Sequence, residues 1–242
     1  MVRIGKITTR RGPEAKIQND IIKMLRAHDW FVRPTHGCAY QAGFPDLFAA
    51  KRRYGPRWIE VKNKTGYRFT DAQMRTFPLF TKNNVGVWVL NEATPESYAK
   101  LTKPPNWAQY LQVCQVHTRI RAKRKSVEKE LKVAGKGPER DIQTGIVEAL
   151  QAEGWFVLET YGSLYQSGFP DVYACKKGEG VRWIEVKNEK SYKFTGRQLE
   201  IFPRMMAEGV GIWILTDPNQ LSRLQEPPNW MHYLKSENGP SV

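Results

Sequence analysis

The chain has 242 residues, 40% of them apolar, 26% charged and 12% aromatic, an ordinary balance for a globular protein. No stretch approaches the roughly 18 consecutive apolar residues of a membrane span. The basic N-terminus lacks the apolar core of a secretory signal, and three cysteines without a Cys-x-x-Cys pair argue against a disulfide framework or a zinc site, so a cytoplasmic location is expected. The formal net charge of +14 predicts a polyanionic partner, held by counterion release; charge alone leaves DNA, RNA and an acidic membrane surface open.

The first predicted element is a helix opened by Pro13, with Ile17, Ile21 and Leu25 at helical spacing. Glu14 falls on that apolar stripe, followed by Gln18 on the same side. It is either a partner of the helix dipole or a functional acid looking into the fold. Trp30-Phe31-Val32 reads as a short strand. A polar loop leads to a second strand, Asp46 to Ala50, with the aspartate at its start. A basic turn, Lys51 to Pro56, precedes a third strand, Arg57 to Asn63. Strand alternation puts Ile59 and Val61 on one face, predicted to be core, and Glu60 and Lys62 side by side on the other. Thr70 to Lys82 reads as a second helix, bent or ended early by Pro78. Thr70-x-x-Gln73 also fits a capping box, which leaves Gln73 with either a capping or a site role. Val85 to Leu90 is apolar enough for a central strand, and a last short helix is expected over Pro95 to Leu101.

The same order is written twice. Gly12-Pro13-Glu14 recurs as Gly137-Pro138-Glu139, and Gly43-Phe44-Pro45-Asp46 as Gly168-Phe169-Pro170-Asp171. Trp58-Ile59-Glu60-Val61-Lys62-Asn63 recurs unchanged as Trp183 to Asn188, and Pro104-Pro105-Asn106-Trp107 as Pro227-Pro228-Asn229-Trp230. About half of the aligned positions are identical, and the eight tryptophans form four matched pairs. Trp58, Trp88, Trp183 and Trp213 lie on predicted strands and read as core. Two domain-sized units are therefore expected, residues 12–111 and 137–236, joined by a charged helical linker over 112–136 that is either a solvated spacer or a phosphate-contacting arm.

Each unit carries a matched polar set: Glu14, Asp46, Glu60, Lys62 and Gln73 in the first, and Glu139, Asp171, Glu185, Lys187 and Gln198 in the second. Two neighbouring carboxylates repel unless a cation bridges them. Magnesium is expected, because it takes hard oxygen ligands and few of them from protein; manganese should substitute. The adjacent lysine can orient an attacking water and stabilise charge in a transition state. Lys51/Lys176, Arg57/Arg182 and Arg68/Lys193 keep positive charge at equivalent places and are candidate phosphate contacts. Tyr40/Tyr165 and Gln41/Gln166 precede the aspartates and are candidates for substrate contact or packing. His36 faces Tyr161 in the alignment and receives no shared role.

Pro45-Asp46 with Glu60-Val61-Lys62, and Pro170-Asp171 with Glu185-Val186-Lys187, resemble the PD-(D/E)XK nuclease superfamily, in particular its VRR-NUC and Holliday-junction-resolvase-like branches. The resemblance covers residues 12–90 and 137–215. It implies an α/β fold class: two tandem restriction-endonuclease-like domains, each a mixed central sheet of about four strands flanked by helices. It further implies that Asp46, Glu60 and the Val61 carbonyl bind metal, as do Asp171, Glu185 and Val186. Lys62 and Lys187 would position water, Glu14 and Glu139 would orient or ligate a further water or metal, and Gln73 and Gln198 match a glutamine of those branches. The expected activity is metal-dependent DNA hydrolysis, structure-selective on branched DNA, with paired incisions by a dimer fused into one chain. The alternatives are a restriction-like or homing-type enzyme on linear duplex, and a non-catalytic DNA-binding scaffold.

Overall fold

The computed structural model describes residues 13–35, 43–110, 138–160, 167–190 and 192–237. The linker, His36, Tyr40, Gln41, Tyr161, Tyr165 and Gln166 lie outside the described residues, as do both ends of the first predicted unit and the start of the second. The first half runs α1 (Pro13–Ala27), β1 (Phe31–Pro34), β2 (Leu47–Lys51), β3 (Gly55–Val61), α2 (Asp71–Lys82), β4 (Val87–Leu90) and α3 (Pro95–Lys100). The second repeats it as α4 (Pro138–Ala152), β5 (Phe156–Glu159), β6 (Val172–Lys176), β7 (Gly180–Val186), α5 (Gly196–Ala207) and β8 (Ile212–Leu215). A 3-10 helix (Pro218–Gln225) stands where α3 stood, and α6 (Trp230–Glu237) follows.

Each half is thus a four-stranded mixed sheet flanked by helices, in the order β1-β2-β3-β4 and β5-β6-β7-β8. The first three strands of each sheet are antiparallel, and the fourth runs parallel to the third. The parallel pair requires a crossover, which α2 and α5 supply. Both crossover helices continue past their proline, Pro78 and Pro203, so Pro78 does not end its helix. Both prolines are exposed, so water can satisfy the carbonyl each leaves without its helical donor.

The expectation of one core face and one polar face on β3 also needs correction, because both faces are buried. Ile59 and Val61 pack with Ile21, Leu25, Leu47 and Leu90, against α1. Trp58, on the opposite face with Glu60, joins Phe48, Phe77 and Phe80 and, from the other half, Phe169, Tyr173 and Trp183. The polar pair therefore shares its face with the joint between the halves. The predicted core placement of the strand tryptophans holds, with exposures of 1, 6, 2 and 7% for Trp58, Trp88, Trp183 and Trp213.

The joint repeats itself across the two halves. The Trp58 ring meets Tyr173 at 5.2 Å, and the equivalent Trp183 meets Phe48 at 5.2 Å. Trp58 and Trp183 face each other at 6.1 Å. The backbone N–H of Arg52 donates to Glu208 at 2.7 Å, and the equivalent Lys177 N–H donates to Asn83 at 3.2 Å. Each of these pairs exchanges members under the same offset of 125 residues, which is the signature of a self-complementary contact.

The Pro-Pro-Asn-Trp segments, without an assigned role in the sequence, close the free edge of each sheet. Asn106 presents its side-chain amide to both backbone groups of Val89, at 2.6 and 3.2 Å, as a neighbouring strand would. Asn229 does the same for Ile214 at 2.6 and 3.2 Å. Trp107 and Trp230 then pack on Phe77 and Phe202.

Candidate active site

The site forms where β1 ends, β2 begins and β3 ends. Gly43 has a φ of 99°, and any Cβ there would meet Thr76 Oγ1 at 2.5 Å and the Ala72 carbonyl at 2.8 Å. Gly168 repeats this with a φ of 87° against Arg197. Only glycine lets this loop lie so close to the crossover helix. Thr35 then clamps the turn: its hydroxyl donates to the Pro45 carbonyl and its N–H to the Asp46 carbonyl at 2.9 Å. Thr160 holds Pro170 and Asp171 in the same way, its N–H donating at 2.8 Å. Sequence reasoning passed over these threonines, although their matched positions were a usable signal.

Thus held, Asp46 Oδ2 accepts from the Val61 N–H at 2.9 Å, and Asp171 Oδ2 from the Val186 N–H at 2.9 Å. Glu60, 1% exposed, takes two donors on one oxygen: Lys62 Nζ at 2.5 Å and Gln73 Nε2 at 2.6 Å. Glu185 Oε1 takes Lys187 Nζ at 2.5 Å and Gln198 Nε2 at 2.5 Å. The other oxygen of each glutamate, Oε2, is buried with no hydrogen-bond partner. The two readings of the glutamines are both realised. Gln73 closes a full capping box with Thr70 while its amide nitrogen holds Glu60, and Gln198 does likewise with Thr195 and Glu185.

The electrostatics follow from burial. Desolvation, reinforced by the negative charge of Asp46 and opposed by Lys62 and Gln73, pushes the Glu60 carboxyl up to about 8. Glu185 is raised well above the carboxylate range for the same reasons. Burial pushes Asp171 up to about 6, against the pull of the Val186 amide and Lys187. Desolvation works against a charged Lys187, but Glu185 and Asp171 outweigh it and hold the ammonium above its ordinary range. Two carboxyls pressed together under cover, one with a bare oxygen, resist being ionised together beside a single lysine.

The helical acids stand in the first turn of their helices, as the dipole reading has it; Glu14 is half-buried and Glu139 exposed, rather than on a buried stripe. Glu139 reaches the backbone N–H of Asn188, just beyond β7, at 3.3 Å, and its charge acts on Asp171. The first helical turn therefore stands at the end of the sheet, not over it. Among the described residues no group of three or more His, Cys, Asp or Glu is arranged to hold a metal. Glu14 and Glu139 complete no such group, and a divalent ion would rest on the Asp–Glu pair. That pair fits one: its orphaned Oε2 is a hard oxygen lacking a positive partner, and magnesium accepts few protein ligands with water filling the rest.

Four of the candidate phosphate contacts are engaged within the chain. Arg57 donates to the Leu101 carbonyl at 3.1 Å and lies 4.4 Å over the Trp88 ring; Arg182 donates to the Leu224 carbonyl at 2.6 Å and lies 4.7 Å over Trp213. Both tie the C-terminal segment of their half to the sheet. Lys51 donates to the His28 carbonyl at 2.5 Å, and Lys176 lies over Trp155 at 5.7 Å, both at the end of the sheet away from the acids. Arg68 and Lys193 are exposed on the segment between the site lysine and the crossover helix, beside each site.

Both sites lie at the same end of the molecule. Phe48 is in register with Trp58, and Tyr173 with Trp183, so these four rings form one level of the joint. The acids stand two residues beyond that level in each half. Arg33, two residues before the Thr35 clamp, donates to the Ser167 carbonyl at 3.0 Å, just ahead of Asp171, and so joins one site end to the other.

No family model matches the chain, and no curated protein matches it. Among solved structures, a chain described as a VRR_NUC domain is similar, with 24% identity, a TM-score of 0.31, and coverage of 38% of this chain and 97% of that one. No helix among the described residues is long and apolar enough to cross a membrane.

Proposed function

We propose that this chain is a metal-dependent DNA endonuclease that makes paired incisions in branched DNA. The observation that carries the reading is the twice-built Asp–Glu–Lys cluster, with one buried glutamate oxygen left bare in each copy. Bound between these carboxylates, a divalent cation would neutralise phosphate charge and lower the pKa of a bound water.

The chain's own residues do the rest. The Val61 and Val186 amides aim the aspartates, and the Gln73 and Gln198 amides aim the glutamates. Because each glutamine also closes a helix N-terminus, its orientation is fixed before substrate arrives, the preorganisation on which electrostatic catalysis depends. Lys62 and Lys187, beside the acids, would orient the attacking water and take up charge on the phosphoryl oxygens. Arg68 and Lys193 would contact the flanking phosphates. The reciprocal joint makes the chain an intramolecular dimer, and sites at one end can address two strands of one substrate. Fusion replaces association with a fixed high effective concentration.

The test is one gel. Linear, nicked, flapped and four-way DNA are incubated with magnesium, manganese or chelator, using wild type, Asp46→Asn, Asp171→Asn and the double variant. Each single variant should nick and only wild type should make paired cuts, with four-way DNA the preferred substrate. Preference for one sequence in linear duplex would replace this reading with a restriction-like one. Full activity in the double variant would remove the site assignment. Binding with no metal-dependent product would leave a scaffold.

A further inference from the structure

The two halves match in their acidic centres but differ in the groove beside their joint. On one side, β1 of the first half lies along α5 of the second. Arg33 donates to Ser167 and lies 5.7 Å from the centre of the Phe169 ring, and Arg204 lies 5.6 Å over Phe31. Arg197 and Arg204 share a single carboxylate, Glu200, at 2.5 and 3.7 Å, with side chains 46 and 59% exposed. Arg26 adds its charge from the last turn of α1. Burial, followed by the charge of Arg197, pulls the Arg33 guanidinium down to about 10; Arg204 and Arg26 act in the same direction and Glu200 opposes them. Two guanidiniums thus pair with one carboxylate, and Arg33 and Arg26 add their charge nearby.

The opposite side of the joint, related by the 125-residue offset, carries none of these arginines. Gln151, Leu158, Ala72 and Leu79 stand in place of Arg26, Arg33, Arg197 and Arg204, and Arg75 in place of Glu200. The groove is also well placed. Arg197 immediately precedes Gln198 of one catalytic cluster, and Arg33 lies two residues from the threonine that clamps Asp46 of the other.

We infer that Arg33, Arg197 and Arg204 form a one-sided seat for the phosphate backbone of a nucleic-acid strand, running between the two catalytic clusters and fixing which half meets which strand. A two-fold enzyme binds a two-fold substrate in two equivalent ways. A cationic groove on one side only removes that equivalence, so the seat assigns each site its own strand. Guanidiniums suit the task because they stay charged when partly desolvated and offer forked donors to phosphate oxygens. This inference rests on the reading that the chain acts on DNA.

The test measures binding in chelator, where no cutting can occur. Fluorescence anisotropy with labelled four-way and linear DNA is recorded from low to moderate salt for three proteins. These are wild type, the triple variant Arg33→Leu, Arg197→Ala, Arg204→Leu, and a charge-matched control, Lys23→Ala, Arg53→Ala, Lys103→Ala. The first set places in the groove what the other side of the joint already carries. Its slope of log affinity against log salt should fall by about 2 to 3, and its affinity at ~0.15 M salt at least ~10-fold, against a much smaller change in the control. Equal losses in both variants would overturn the seat. Should Arg33→Leu loosen the joint, seen as a lowered melting temperature, the pair Arg197→Ala, Arg204→Leu must still lower the slope by about 1 to 2; an unchanged slope there would also overturn it. The nuclease reading fails separately, if wild type bound in this way yields no product with magnesium.

Discussion

The two acidic clusters and the groove between them differ in how far the halves of the chain have diverged. In the clusters every polar residue recurs, and even the donors to each glutamate oxygen agree to within 0.1 Å. In the groove four arginines on one side face Gln, Leu, Ala and Leu on the other. A cluster of buried, coupled charges tolerates little change, because removing one partner strands the others in a poor dielectric. An exposed cationic surface has no such constraint and can differ between halves. On the proposed function, repetition marks the chemistry and divergence marks the orientation of the strand it would act on.

The largest expected effect tests the repeated part. Lys62→Ala with Lys187→Ala should cut the cleavage rate by about 10² to 10⁴-fold in a single-turnover assay, with DNA binding little changed. Either change alone should leave nicking by the intact half. Next comes the joint on which both halves depend. Trp183→Ala should cost about 3–5 kcal/mol by denaturant titration, and the loss should be felt in both halves, since Trp183 packs on Phe48 and Trp58 as well as on its own strand partners. Unfolding of only one half would break the picture of a shared core.

A smaller effect concerns protons. The Glu60 carboxyl is raised in the folded chain from its ordinary 4.5 to about 8, so the folded state binds a proton that the unfolded state releases. Its contribution to stability is complete below about pH 4.5 and is lost as pH rises toward 8. In chelator, wild type should melt at a lower temperature at pH 8 than at pH 6. Glu60→Gln should reduce that dependence to the share of Glu185, and magnesium should oppose it less in the variant than in wild type. A pH-independent difference between wild type and variant would contradict the assigned burial of charge. The smallest effect separates structural from functional arginines. Arg57→Ala should lower stability by about 1–2 kcal/mol, through its lost carbonyl bond and ring contact, without changing the salt dependence of DNA binding.

Much of this was legible in the sequence. Strand alternation and the repeat were enough to give the element order, four strands per half, and the acid and lysine side by side on β3. Burial of that polar face was not legible, because alternation identifies which residues share a face but not what covers it. The covering is α2 and the segment before it, through Gln73 and Phe69, and a contact between separated segments leaves no local pattern. The carbonyl bonds of Arg57 and Arg182 were not legible for a similar reason: a repeated cation has the same signature whether it grips phosphate or a carbonyl. Asn106 and Asn229 were visible as repeated letters, but pairing a side-chain amide to a strand edge depends on where the chain returns. The glutamines were legible in both roles, since one side chain has enough donors and acceptors to cap a helix and hold a carboxylate together.

The central claim is that each half gathers one acidic pair able to take a hard cation. Calorimetric titration of manganese into wild type, Asp46→Asn, Asp171→Asn and the double variant tests it directly. The number of ions bound per chain should fall to about half in each single variant and to none in the double. The same number of ions in all four proteins would contradict the account.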